Sequence, residues 1–145
     1  MSTWTGDDAK RFARQGWDRS LERLATAWGE SDAEACMVAL YEALTWARAL
    51  DESLGETRPG RPEILKAVKF ARDRALHSLV RLLKPRGGYA KGYLLGYQVL
   101  AWVHLDEIDR PARKHVDQHG MRAFEHYFQT KAVLDTMREV DGALT

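Results

Sequence analysis

Apolar residues recur at three- and four-residue intervals along most of the chain, which is the period of a helix with one buried face. Phe12, Ala13, Trp17, Leu21, Leu24 and Trp28 make the first such run and predict a helix from about Asp7 to Trp28. Thr5 with Asp8 three residues later opens it as a capping pair, and Gly29 closes it. A second helix follows the capping box Ser31-Asp32-Ala33-Glu34, carries Met37, Leu40, Tyr41, Leu44, Ala47 and Leu50 on one side, and ends near Gly55. So few residues separate the two helices that they must form an antiparallel hairpin. After a proline-bearing connector, Glu56 to Pro62, a third helix is predicted from about Glu63 to Leu83, with Pro62 suited to its first turn. Lys84-Pro85-Arg86-Gly87-Gly88 stops it.

Beyond that stop the period changes. Tyr89, Tyr93 and Tyr97 are spaced by four, but the run from Tyr97 to Leu105 is rich in branched and aromatic residues and predicts an extended segment. Pro111 breaks the chain, and two further helices are expected over about 119–128 and 131–142, carrying Met121, Phe124, Tyr127, Phe128, Val133, Leu134 and Met137. The expectation is an all-α fold: one domain over residues 1–145, a bundle of about five helices with one irregular or extended crossing segment.

The composition fits an ordered globular chain, with 45% hydrophobic and 30% charged residues, and 145 residues suffice for one core. A single cysteine, Cys36, excludes an internal disulfide and a thiolate zinc cluster, and it suits a reducing compartment. No apolar run reaches the roughly 20 residues of a membrane span, and the amino terminus has no apolar export signal, so a soluble, cytoplasmic protein without a membrane partner is expected. The net charge of +1 hides an uneven distribution. Residues 1–55 hold six Lys/Arg against ten Asp/Glu, residues 56–91 ten against three, and residues 92–145 six against eight. A basic third within a neutral chain is what binding to a phosphate backbone requires, although scattered lysines and arginines on a solvated helix face give the same count.

That basic third contains Phe70-Ala71-Arg72-Asp73-Arg74-Ala75-Leu76-His77 on the third helix. At about 100° per residue, Ile64, Leu65, Val68, Ala71, Ala75, Leu76, Leu79, Leu82 and Leu83 share an apolar arc, and Arg72 falls inside it. A guanidinium there needs a carboxylate, carbonyls or a wet cleft. Asp73 and His77, four residues apart, share one edge of that arc.

Arg72 followed by Asp73, with His77 five positions after the arginine, resembles the R-x4-6-H motif of HEPN domains, which are helical bundles of about this length. The wider pattern is similar to small helical HEPN-like proteins of actinobacterial type. It comprises Trp46 to Glu52 at the end of the second helix, Phe70 to Asp73, the aromatic Val99 to Val103 followed by Leu105-Asp106-Glu107, and Val133 to Met137. This likeness spans about residues 40–142. It implies an endoribonuclease needing no cofactor or metal, acting as a homodimer whose two Arg-His pairs meet across a two-fold cleft, in the manner of a toxin or defence effector. His77 would be the general acid or base for attack of the RNA 2'-hydroxyl on the adjacent phosphate, a role suited to imidazole, whose ordinary pKa is about 6.5. Arg72 would hold the phosphate, and Asp73 would orient His77 or Arg72. RNA-binding candidates in the same basic third are Arg74, Arg81, Lys84 and Arg86, with Lys91 beyond them. An antitoxin or other regulatory protein is a further implied partner. Some HEPN toxins carry a modifiable tyrosine two residues after the histidine; Leu79 stands there in this chain, so that regulation is not expected.

Two other assignments compete. Arg72 could pair with a second-helix carboxylate such as Glu42 and leave His77 an ordinary surface histidine, making the protein a non-catalytic helical module for RNA or a protein partner. Alternatively His115, His119 and His126, spaced by four and seven, could line a bundle face as in DinB-like metal-dependent hydrolases, although Gly120 interrupts their helix. Trp17, Trp28 and Trp46 read as core or interface filler.

Overall fold

A computed structural model describes residues 3–87, 98–108 and 117–145. Five α-helices and a two-stranded sheet are present among them: α1 Gly6–Gly29, α2 Ala33–Leu54, α3 Ile64–Ser78, β1 Leu83–Gly87, β2 Gln98–Trp102, α4 Gln118–Tyr127 and α5 Val133–Ala143. The expected helical bundle with one extended crossing is the architecture found. None of the described helices is long and apolar enough to cross a membrane.

The helix ends show how local chemistry sets the boundaries. Thr5 Oγ1 accepts from the Asp8 amide at 3.2 Å, while Asp8 accepts from the Thr5 amide at 2.9 Å, a reciprocal capping box that lowers the Asp8 carboxyl pKa chiefly through that backbone hydrogen bond. At α2 the cap is one residue later than the sequence suggests. Asp32, not Ser31, accepts from Ala35 at 3.0 Å, because reversing the chain so sharply puts Ser31 in the left-handed region, φ 56°, where it cannot open a helix.

α1 and α2 run antiparallel, with Gly16 against Trp46 and Arg23 ion-paired to Glu42. Trp17, Leu24, Leu40, Leu44, Ala47 and Leu50 fill their inner faces, and Trp17 Nε1 donates to Asp141 at 2.7 Å, tying α1 to α5. Phe12 and Tyr41 were expected inside and are exposed. Trp46 lies across Gly16, where a Cβ would run into the indole ring, so that tryptophan is interface filler rather than core.

The third helix is shorter than its pattern implies. α3 ends at Ser78, a 3₁₀ turn covers Leu79–Leu82, and Leu83–Gly87 pairs antiparallel with Gln98–Trp102 in the register Pro85 opposite Leu100. The Lys84 to Gly87 stretch therefore does more than stop a helix. Proline is tolerated because β1 has one strand neighbour among the described residues. β2 turns its other edge to residues 129–132 through bridges of Ala101 with Ala132 and Trp102 with Gln129. The tyrosine series at 89, 93 and 97, Lys91, Pro111 and His115 lie outside the described residues.

An aromatic cluster joins the second half to α3: Phe70 to Phe124 at 5.4 Å, Trp102 to Phe128 at 4.7 Å, and Phe124 to Phe128 at 5.7 Å between ring centroids. Trp102 Nε1 donates to the buried Thr136 hydroxyl at 2.8 Å. Gly120 does not interrupt α4. It lies in the first turn, its amide donating to the capping Asp117 at 2.8 Å, and an added Cβ would sit 3.0 Å from Phe70 Cβ and strike the Asp117 carboxylate. Gly120→Ala should lower stability by about 1–3 kcal/mol, since overpacking and a displaced cap act together. Urea unfolding with an unchanged slope and a lower midpoint would verify this, and an unshifted midpoint would refute it.

Candidate functional site on the third helix

α3 is held on two sides. Leu65, Val68, Ala71 and Ala75 are buried, as the helical period predicts. Ala67 and Phe70 are buried as well, and α4 brings Phe124 against Phe70. The covered arc is thereby rotated from the one read in the sequence, and its far edge opens: Leu76, expected inside, is 54% exposed, and Arg72 sits half-buried at the rim.

The free face of α3 presents Asp73, Leu76 and His77, flanked by the half-buried Lys66, Lys69, Arg72 and Arg74. Asp73 and His77 do share this face, as expected, but the carboxylate turns to Arg72, whose Nη1 donates to Asp73 Oδ1 at 3.3 Å. Arg72 Nε is buried and has no hydrogen-bond partner among the described residues. The expected alternative of a pair with Glu42 is not found, because Glu42 is taken by Arg23 of α1. Among the described residues, Asp73 at 3.3 Å is the one carboxylate paired with this guanidinium, whose side chain keeps about a third of its surface in solvent.

The basic residues downstream are spread out. Arg81 is exposed in the 3₁₀ turn, and Lys84 forms a 3.5 Å ion pair with Glu107 and lines a small pocket with Trp102, His104 and Thr130. Arg86 stands in β1 opposite Val99. The histidines of α4 take a different position: His119 and His126 line a shallow pocket with Glu63, Arg122 and Tyr127, and the His126 ring packs edge-on against Tyr127 at 4.6 Å. Among the described residues no group of three or more His, Cys, Asp or Glu side chains is placed to hold a metal ion.

An ionic cluster escaped the sequence reading. Asp51, only 1% exposed at the end of α2, accepts from Arg58 Nη1 at 2.9 Å and from Arg61 through Nε at 3.1 Å and Nη2 at 2.5 Å. Arg48 stands 3.7 Å from the same carboxylate and bonds to Glu52 and Glu56. Burial opposes the Asp51 charge, but hydrogen bonds from Arg61 and Arg58 outweigh it and hold the carboxyl below its ordinary pKa. Glu56 is likewise lowered, chiefly by its hydrogen bond from Arg48, and the Arg61 guanidinium is raised by its bond to Asp51. This cluster fastens the 55–63 connector to α2 and so fixes where α3 begins. The signal was present in the sequence, since Asp51 falls one heptad after Leu44 on the buried side of α2.

Compared with models of known families, with curated proteins and with solved structures, the chain matches none.

Proposed function

We propose that this protein is a HEPN-type endoribonuclease whose reactive groups are Arg72 and His77 of α3, acting in a homodimer. The observation that carries the reading is the guanidinium of Arg72: among the described residues its Nε has no hydrogen-bond partner and its neighbour Asp73 occupies only part of its donor set, so the group is suited to an anion. His77 lies five residues on, on the open side of the same helix.

In this reading a 2'-hydroxyl of RNA attacks the adjacent phosphorus as His77 accepts its proton. The P–O5' bond breaks, leaving a 2',3'-cyclic phosphate on one fragment and, once the departing oxygen is protonated, a 5'-hydroxyl on the other. Arg72 stabilises the charge gathering on the non-bridging oxygens. Two-fold pairing of the free α3 faces would bring two imidazoles together, one to accept a proton and one to donate it. The exposed Leu76 between Arg72 and His77 supplies an apolar contact for that pairing.

The test is incubation of the full chain with mixed RNA in excess EDTA. Fragments ending in cyclic phosphate and 5'-hydroxyl, together with a dimer in sedimentation at micromolar concentration, are expected. RNA binding without cleavage would replace the nuclease with the non-catalytic module, and cleavage only after metal is restored would remove the mechanism.

A further inference from the structure

A second surface lies at the tip of the α1–α2 hairpin. A groove of about 670 Å³ lies there, lined by residues of both helices. Its floor is made of Ala27, Ala35 and Ala39, with Val38 58% exposed beside them. Five carboxylates rim it, from Glu22, Glu30, Asp32, Glu34 and Glu42, against the single guanidinium of Arg23. Arg23 is paired with Glu42, and Asp32 caps α2. Glu22, Glu30 and Glu34 have no ion-pair partner among the described residues.

We infer that this groove docks an amphipathic, lysine- or arginine-rich helix of a partner protein. The seam between two antiparallel helices is where a third helix packs, and alanines in its floor let the incoming backbone come close. The lining runs from Glu22 on α1 to its C-cap Glu30 and from Glu34 to Glu42 on α2, about 12 Å on each at 1.5 Å per residue, so it receives roughly two turns. Val38 offers an apolar contact at the centre, and the carboxylates select the charge. Nucleic acid and acidic lipid are disfavoured by sign, and a second copy of the same groove would set its carboxylates against their like. The surface is separate from the proposed nuclease site: α2 packs against both α1 and α3, and no groove residue lies on α3.

The probe is a fluorescein-labelled 14-residue helical peptide of leucine, alanine and lysine with leucines at i, i+3, i+4 and i+7, titrated with the full chain at 0.15 M salt and read by polarisation. Saturable one-to-one binding is expected, weakened roughly tenfold or more by the double variant Glu30→Lys, Glu34→Lys and by a similar factor for Val38→Asp. All three positions are exposed, and circular dichroism of the variants should match the parent. A peptide of equal charge with serine replacing leucine should bind at least tenfold more weakly, and one with glutamate replacing lysine should not bind. Equal binding of the serine peptide, or an unchanged affinity in both variants, would overturn the inference. So would self-association of the free chain that Val38→Asp abolishes, because the groove would then belong to a second copy.

Discussion

His77→Ala should reduce RNA cleavage by roughly 10²- to 10⁴-fold, the usual contribution of a positioned proton-transfer group, while RNA affinity changes little. The side chain is exposed, so the variant should keep the parent's unfolding midpoint. Arg72→Ala should lower both binding and turnover, because the same guanidinium would meet the phosphate in the ground state and in the transition state. Arg72→Lys should rescue it only in part, since an ammonium keeps the charge and loses the planar fork. In mixed dimers of His77→Ala and Arg72→Ala subunits, recovery of activity beyond either parent would indicate a site shared across the two-fold axis. If His77→Ala cleaves RNA as fast as the parent, the nuclease assignment to α3 is wrong.

The largest effect on stability is expected from Asp51→Ala. Removing a carboxylate that is 1% exposed leaves Arg61, Arg58 and Arg48 facing one another without their shared anion, and breaking a buried pair in this way typically costs about 3–5 kcal/mol. Asp51→Asn should cost less, because the amide oxygen still accepts a hydrogen bond. The cluster also contributes to the acid limb of the stability curve. The folded-state pKa values of Asp51 and Glu56 are depressed, so their contribution is complete above the ordinary carboxylate range and is lost as pH falls through the lowered folded values. Unfolding midpoints of the parent should therefore decline below about pH 4 to 5, and Asp51→Ala should show a shallower decline. Parallel pH profiles for the two proteins would show that the cluster is not what titrates.

The bundle was largely legible because helical periodicity and capping are local properties. Phe12 to Trp28 and Leu40 to Leu50 contain their own period, and Thr5 and Asp8 sit within one turn of each other. Tertiary partners were not legible. The period of α3 alone cannot show that Phe124 comes from the far end of the chain to cover Phe70, and without that contact Leu76 reads as core. Likewise β1 carries Pro85, a residue that argues against a strand until its partner is known, and the pairing residues Gln98–Trp102 lie more than ten positions away. At the candidate site, the shared face of Asp73 and His77 follows from their spacing. That Glu42 is already engaged by α1 depends on which helices are neighbours.

The clasping of α3 between α2 and α4 has a consequence for how its exposed chemistry is governed. A rod gripped along two flanks cannot roll freely, so the heading of Arg72 and His77 depends on the buried rings of Phe70, Phe124 and Phe128 behind them. Volume-conserving changes in that aromatic packing would re-aim the helix by degrees. In the proposed site the aim of these two side chains would be tuned from behind, through residues whose only visible business is filling space.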